Sequence, residues 1–127
     1  MKIEKTLLEE VKIIELDVYP DDRGWFLENY SEEKYCKLGI ENKFVQDNQS
    51  CSRNKGILRG IHFQKQPYAQ AKLVRCLKGK VLDVAVDLRK NSPTYKKWVA
   101  VELSEENKRQ LFIPAGFGHA FLTLEED

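Results

Sequence analysis

Residues 80–88 read KVLDVAVDL, and their alternation decides the fold class. Asp83, Ala85 and Asp87 fall on one side of an extended chain, while Leu82, Val84, Val86 and Leu88 fall on the other. A period of two is the signature of a β-strand with unlike faces. Here one face is apolar and the other mixes carboxylates with a small residue. The same mixture recurs outward in both directions. Gln46, Asn48, Ser50 and Ser52 share a face of an expected strand over 44–52. Gly60, His62 and Gln64 share one over 56–64, with Ile61 and Phe63 opposite, and Lys72 shares one with Val74 and Cys76 over 71–77.

Further strands are expected at 11–18, 25–30, 80–88, 98–103, 110–113 and 119–124. Tyr19–Gly24 forms the first turn, Lys78-Gly79 a hairpin turn, and Lys90–Thr94 a loop. One short helix is expected over 31–39. Ser31 caps it, Glu32 and Glu33 sit at its positive end, Lys37 at its negative end, and Gly39 gives the left-handed exit. Many short strands punctuated by glycine and proline mean an all-β sandwich or barrel. The polar faces can then point to water, or into a lumen that binds a ligand, with the apolar faces covered by a second sheet or subunit.

The 127 residues make one domain over 1–127. With 21 basic against 20 acidic side chains the net charge is +1, which argues against a nucleic-acid partner but leaves room for a pocket that binds a small anion. No apolar run is long enough for a membrane span, and residues 1–5 do not lead into a signal-peptide core. Cys36, Cys51 and Cys76 are odd in number and lack CxxC spacing, so they read as reduced thiols of a cytoplasmic protein. Two histidines, His62 and His119, are too few for a histidine-rich metal site, so neither metal nor cofactor is expected.

Three residue types invite chemistry. His62, Lys72 and Asp83 would supply a base, a cation for a developing oxyanion, and a carboxylate that orients the one or pairs with the other. The plainer alternative is a strand histidine with a backbone partner, and a surface lysine and aspartate. Arg23 and Arg59, each beside a glycine, could grip phosphate oxygens, and Gly60 could kink its strand and redirect Arg59. His119 could be a satisfied core histidine. Trp25, Phe26, Tyr68 and Trp98 could stack on a base but serve equally as core. Ser50 and Ser52 lack the context of a hydrolase nucleophile.

The motifs, taken in order, run Asp22-Arg23-Gly24-Trp25-Phe26-Leu27-Glu28, Phe44–Ser50, Leu58-Arg59-Gly60-Ile61-His62-Phe63-Gln64, Gln70–Cys76, Asp83–Arg89, Ser92-Pro93-Thr94 and Ile113–Phe121. The series resembles the dTDP-4-dehydrorhamnose 3,5-epimerase family, metal-free cupins of deoxysugar nucleotide metabolism, through nearly the whole chain.

The resemblance implies a cupin-type jelly-roll barrel and a homodimer built partly by exchange of an N-terminal segment. It also implies an isomerase that inverts C3 and C5 of dTDP-4-dehydro-6-deoxy-D-glucose. On that reading His62 is the base, and Lys72 stabilises the enolate at the C4 oxygen. Asp83 partners Lys72, and Arg59 and His119 line the sugar and phosphate region. Arg23, Phe26 and Glu28 reach a nucleotide in the partner's site, with Gln46 and Asn48 as polar contacts. Family members continue well beyond the position of Asp127. That part supplies a tyrosine that reprotonates from the opposite face and an aspartate that orients the base. The five tyrosines here, Tyr19, Tyr30, Tyr35, Tyr68 and Tyr95, do not sit where the motif puts the acid.

Other readings are a single-position epimerase, a 3,4-ketoisomerase of a dTDP-deoxysugar, or a catalytically silent cupin that binds a nucleotide sugar. The histidine count disposes of a metal-dependent cupin.

Overall fold

The computed structural model describes residues 1–63 and 70–124. Among them run, in order, β1 (Lys2–Lys5), β2 (Lys12–Glu15), β3 (Val18–Asp21), β4 (Gly24–Leu27), α1 (Glu32–Lys37), β5 (Leu58–His62), β6 (Lys72–Arg75), β7 (Lys80–Asp87), β8 (Trp98–Ser104), β9 (Gln110–Ile113) and β10 (Phe117–Thr123). All pairings are antiparallel. One sheet has the order β1-β2-β9-β6, a second β5-β10-β7-β8, and β3 pairs only with β4. The described residues are therefore all-β with one short helix, as the alternation requires.

The two four-stranded sheets share one core. Ile13, Leu111 and Ile113 come from the first sheet; Ala85, Val99, Val101, Leu103 and Phe117 come from the second. Each fully buried aliphatic side chain contributes about 1.5–3 kcal/mol. The opening stretch now has an orientation. Asp83, Ala85 and Asp87 are fully buried, whereas Leu82, Val84 and Val86 are only half-buried. The polar-and-small face points inward. Water does not cover it, and the apolar face is the outer one, with Ile61 and Trp98 each 64% exposed beside it.

The outer side of the first sheet is closed by α1 and its flanks. Ile14, Phe112, Tyr35 and Ile40 form a second buried cluster there. Ser31 caps α1 through its hydroxyl, which accepts from the Lys34 N–H, and Gly39 leaves it at φ +91°.

Several expectations need correction. The strand expected over 11–18 is two strands, β2 and β3, separated at Leu16 and Asp17. Leu16 turns to the α1 cluster, and Asp17 accepts from the Met1 amine at 2.7 Å. β1 carried too little apolar contrast in Lys2–Lys5 to be anticipated. Residues 44–52 form no strand, because a strand needs a ladder partner and no described residue supplies one. Lys78-Gly79 is a turn but closes no hairpin: it carries the chain from β6 in one sheet to β7 in the other. Elsewhere the strand ends shift by one to three residues: β4 stops at Leu27, while β10 begins two residues early at Phe117 and β8 runs on to Ser104.

Candidate active site

The geometry begins with a defect in β5. Along the β5–β10 ladder, His62 faces His119 and Arg59 faces Phe121. Two steps on β10 thus match three on β5, so one extra residue is inserted on β5. Gly60 sits inside that bulge at φ +122°. A Cβ there would lie 2.6 Å from the His119 carbonyl oxygen and 2.7 Å from Ala120 Cα. Only glycine fits, and the kink expected from it occurs.

The consequence corrects the simple alternation. Arg59 and His62, three residues apart, share a face with His119 and Phe121 of β10, while Gly60 lies in the bulge. Gln64 and Tyr68 lie outside the described residues.

β10 pairs with β7 so that His119 meets Ala85 and Phe121 meets Asp83. Asp83 is therefore diagonal to His119 on the inward face, and its Oδ1 lies 2.5 Å from His119 Nε2. Both are buried, at 0% and 7% exposure. A contact that short requires a proton between the two atoms. Asp83 Oδ2 is also buried and has no hydrogen-bond partner among the described residues. Burial pushes the Asp83 carboxyl up from its ordinary value, opposed by the hydrogen bond and charge of His119 and, more weakly, by the charge of Lys72.

Lys72 comes from the facing sheet. It pairs with Ile113 on β9 and shares the side of β6 that carries Val74, which packs into the core. Its charge reaches Asp83, but the hydrogen-bond contact of Asp83 Oδ1 is with His119 Nε2. His62 itself is exposed on the edge strand β5, open to a ligand.

The remaining candidates stand elsewhere. Arg23, Phe26 and Glu28 belong to the β3–β4 hairpin and the residue after it, an arm outside both sheets. Arg23 folds back on Asp21, which accepts from its N–H at 2.8 Å and its guanidinium at 3.1 Å. Phe26 is 69% exposed, and Glu28 accepts from Lys34 Nζ at 2.9 Å. Gln46 and Asn48 are exposed and bonded to each other at 3.3 Å. Trp98 lies on the outer face of β8, and Trp25 lies beneath Lys108, whose Nζ is 4.4 Å from the ring centroid.

A cleft of about 340 Å³ opens between the arm and the body, lined by Trp25, Leu27, Arg75, Lys108 and Gln110 among others. It includes none of the His62 group. Among the described residues, no group of three His, Cys, Asp or Glu is placed to hold a metal ion, and no helix is long and apolar enough to cross a membrane.

Sequence reasoning missed two arrangements. The Asp83–His119 pair could not be seen because strand order is not written in alternation. The other centres on Asp87, fully buried, which accepts from the backbone and guanidinium of Arg89 at 2.9 Å and from the Ser92 and Thr94 hydroxyls. Arg89 also pairs with Glu10 of the N-terminal segment. The signal in the sequence is the pair of motifs Asp87-Leu88-Arg89 and Ser92-Pro93-Thr94, whose hydrogen-bonding groups meet only once the chain turns between them.

Comparison with known proteins now bears on this geometry. A family model described as dTDP-4-dehydrorhamnose 3,5-epimerase matches residues 5–127. The dTDP-4-dehydrorhamnose 3,5-epimerase of Salmonella typhimurium is 54% identical over 127 residues, which cover 99% of this chain and 69% of that protein. The crystal structure of the Bacillus anthracis dTDP-4-dehydrorhamnose 3,5-epimerase, with TDP and PPi bound, matches with a TM-score of 0.96 and 46% identity over 98% of this chain and 71% of that one. The Legionella pneumophila dTDP-6-deoxy-D-glucose-3,5-epimerase, in complex with dTDP-4-keto-L-rhamnose, matches with a TM-score of 0.94 and 52% identity over 98% and 66%. This chain therefore spans about two thirds of the length of these relatives, and the jelly-roll architecture is common to them. On both the sequence and the fold, the chain belongs to the dTDP-4-dehydrorhamnose 3,5-epimerase family.

Proposed function

We propose that this chain carries the base and the enolate-stabilising half of a dTDP-4-dehydrorhamnose 3,5-epimerase, acting at C3 and C5 of dTDP-4-dehydro-6-deoxy-D-glucose. The observation that carries the reading is the convergence of Arg59, His62, His119 and Asp83 on one inward face, with Lys72 projecting from the sheet opposite.

The C4 ketone makes the C–H bonds on both neighbouring carbons acidic. His62 takes the proton from C3 or C5, the electron pair moves into the C–C bond, and the carbonyl oxygen becomes an enolate oxygen. Lys72 faces that oxygen as a cation and stabilises it more than it does the ketone. One base and one stabiliser thereby serve two centres. Reprotonation from the opposite face completes inversion. The family resemblance implies a tyrosine as that acid, and none of the tyrosines here is assigned to it.

Arg59 and His119 line the sugar and phosphate region, and His119 is held in orientation by Asp83. Arg23, Phe26 and Glu28 on the arm, with Gln46 and Asn48, meet the nucleotide in the site of a second copy, so the working unit is a homodimer that exchanges its N-terminal arms in the cytoplasm. The exposure of Phe26 and of Arg23 on a two-stranded ribbon supports an arm that is completed by another surface.

The test is proton exchange. The protein is incubated with dTDP-4-dehydro-6-deoxy-D-glucose in deuterated water, and C3 and C5 are followed by NMR beside His62→Ala. Deuterium at both carbons, lost in the variant, supports the reading. Incorporation at one carbon only makes it a single-position epimerase. Incorporation with retained configuration means the base and stabiliser work without the opposite-face acid. Bound ligand with no exchange overturns catalysis by this chain.

A further inference from the structure

The β3–β4 arm has two unlike faces, and the body holds one of them. Cross-strand partners share a face, so Tyr19 and Phe26 lie together on one side, while Pro20 with Trp25 and Val18 with Leu27 lie on the other. Trp25 and Leu27 line the cleft against the body, which fixes that side as the inner one. Phe26 then belongs to the side turned away, while Glu28, just past the strand, is held by Lys34 Nζ of α1 at 2.9 Å.

Two attachments hold the inner side. At the tip half, Lys108 Nζ stacks 4.4 Å over the Trp25 ring. At the root, the Asn29 carbonyl accepts from Tyr35 Oη at 2.7 Å and from Gln110 Nε2 at 2.8 Å. Tyr35 Oη also lies 2.5 Å from Gln110 Oε1, and both side chains are 1% exposed. The root is thus a buried polar knot joining α1, β9 and the end of the arm, in which the one Tyr35 hydroxyl proton serves two acceptors, the Asn29 carbonyl and Gln110 Oε1. The other root is weaker, an exposed ion pair between the Met1 amine and Asp17.

From this arrangement we infer that Tyr35, Gln110 and Lys108 are positioning residues for nucleotide recognition. They clamp the inner side of the arm so that Phe26 and Glu28 meet the nucleoside diphosphate moiety at one angle, although none of the three touches it. The inference rests on the arm's role under the proposed function and adds the device that sets its pose. A two-stranded ribbon on its own is marginally stable in water, so its direction must be supplied from outside. A loosened arm would still carry the same side chains but would have to be ordered anew at each binding event.

The experiment uses Tyr35→Phe, which keeps the ring in the core, and Lys108→Met, which keeps the stem and lies on the surface. Two quantities are read on the intact protein: the rate of tryptic cleavage after Arg23, followed by mass, and the affinity for dTDP with the KM and kcat of exchange. The expected result is cleavage faster by roughly fivefold, dTDP affinity weaker by a similar factor, and a raised KM with kcat little changed. Unchanged cleavage in both folded variants overturns the clamp. Faster cleavage with unchanged dTDP affinity overturns its part in recognition. A wild-type protein that binds no dTDP overturns the role of the arm itself, and the cleavage rates then decide the clamp alone.

Discussion

Asp83 Oδ1 on β7 and His119 Nε2 on β10 lie 2.5 Å apart, both buried on the inward face of one sheet, with His62 directly opposite His119 on β5. The carboxyl is pushed up by burial, so ionising it costs more in the folded chain than in the unfolded one. The sign follows: its contribution favours the folded state at low pH and is lost as pH rises through the raised folded value. Asp83→Asn keeps the shape and an acceptor but has no charge to ionise. Relative to that variant, the wild type should lose stability as pH climbs from about 3 to about 7, measured by urea unfolding at each pH. Exchange at C3 and C5 should fall by roughly tenfold or more in the variant, because His119 loses its charged partner. Parallel pH profiles for the two proteins would contradict the burial argument.

Gly60 tests the bulge. Gly60→Ala places a methyl group 2.6 Å from a backbone oxygen, where no side-chain rotation can relieve it. The cost should be about 1–3 kcal/mol, together with loss of the register that brings Arg59 beside His62. Gly24→Ala is the comparison: its φ is also positive at +140°, but nothing lies within 4 Å of the added Cβ. It keeps the backbone strain of a positive φ, about 1–3 kcal/mol, but lacks the steric clash, so it should cost less than Gly60→Ala. Equal losses of thermal stability and equal exchange rates in the two variants would mean that close approach of β10 does not shape the site.

The sequence carried period and punctuation well, because both are local. The mixed face of 80–88, the capped helix at Ser31 and the kink at Gly60 could all be read from neighbouring residues. Which strand lies beside which could not, since pairing depends on residues far apart in the chain. Polar character alone points Asp83 toward Lys72, whereas the shared sheet puts it against His119. The strand expected over 44–52 fails for the same reason: alternation describes a strand's faces and says nothing of whether a partner edge exists. The bulge shows the reverse case, where one glycine changed which residues share a face and so moved Arg59 into line with His62.

The Asp87 knot is expected to govern stability in acid. Bonds from Arg89 above all, then from Ser92 and Thr94, hold the Asp87 carboxyl well below the usual carboxylate range. A depressed carboxylate adds stability above its unfolded value near 3.9, lost as pH falls through the acid range. Asp87→Asn should cost about 2 kcal/mol at neutral pH, since Arg89 keeps its charge and loses its main partner while remaining 38% exposed. Its acid-unfolding curve should also be flatter than that of the wild type. A variant with the same urea midpoint as the wild type at neutral pH would show that the knot orders the 89–94 loop without stabilising the fold.

Tyr35 gives the arm's root a signature at the other end of the pH scale. Burial pushes its phenol from 10.0 up to about 12, opposed by the hydrogen bond to Gln110. A phenol with a raised folded value contributes stability below its unfolded value and loses it as pH rises through the folded one. Between about 10 and 12 the folded chain keeps a proton that the unfolded chain gives up. Stability should therefore fall there with a slope approaching about 1.4 kcal/mol per pH unit from this group alone. Tyr35→Phe removes that share of the slope while leaving the ring among Ile14, Ile40 and Phe112. The difference between the two curves isolates Tyr35. Curves that stay parallel through this range would place the Tyr35 hydroxyl in contact with water and outside the knot.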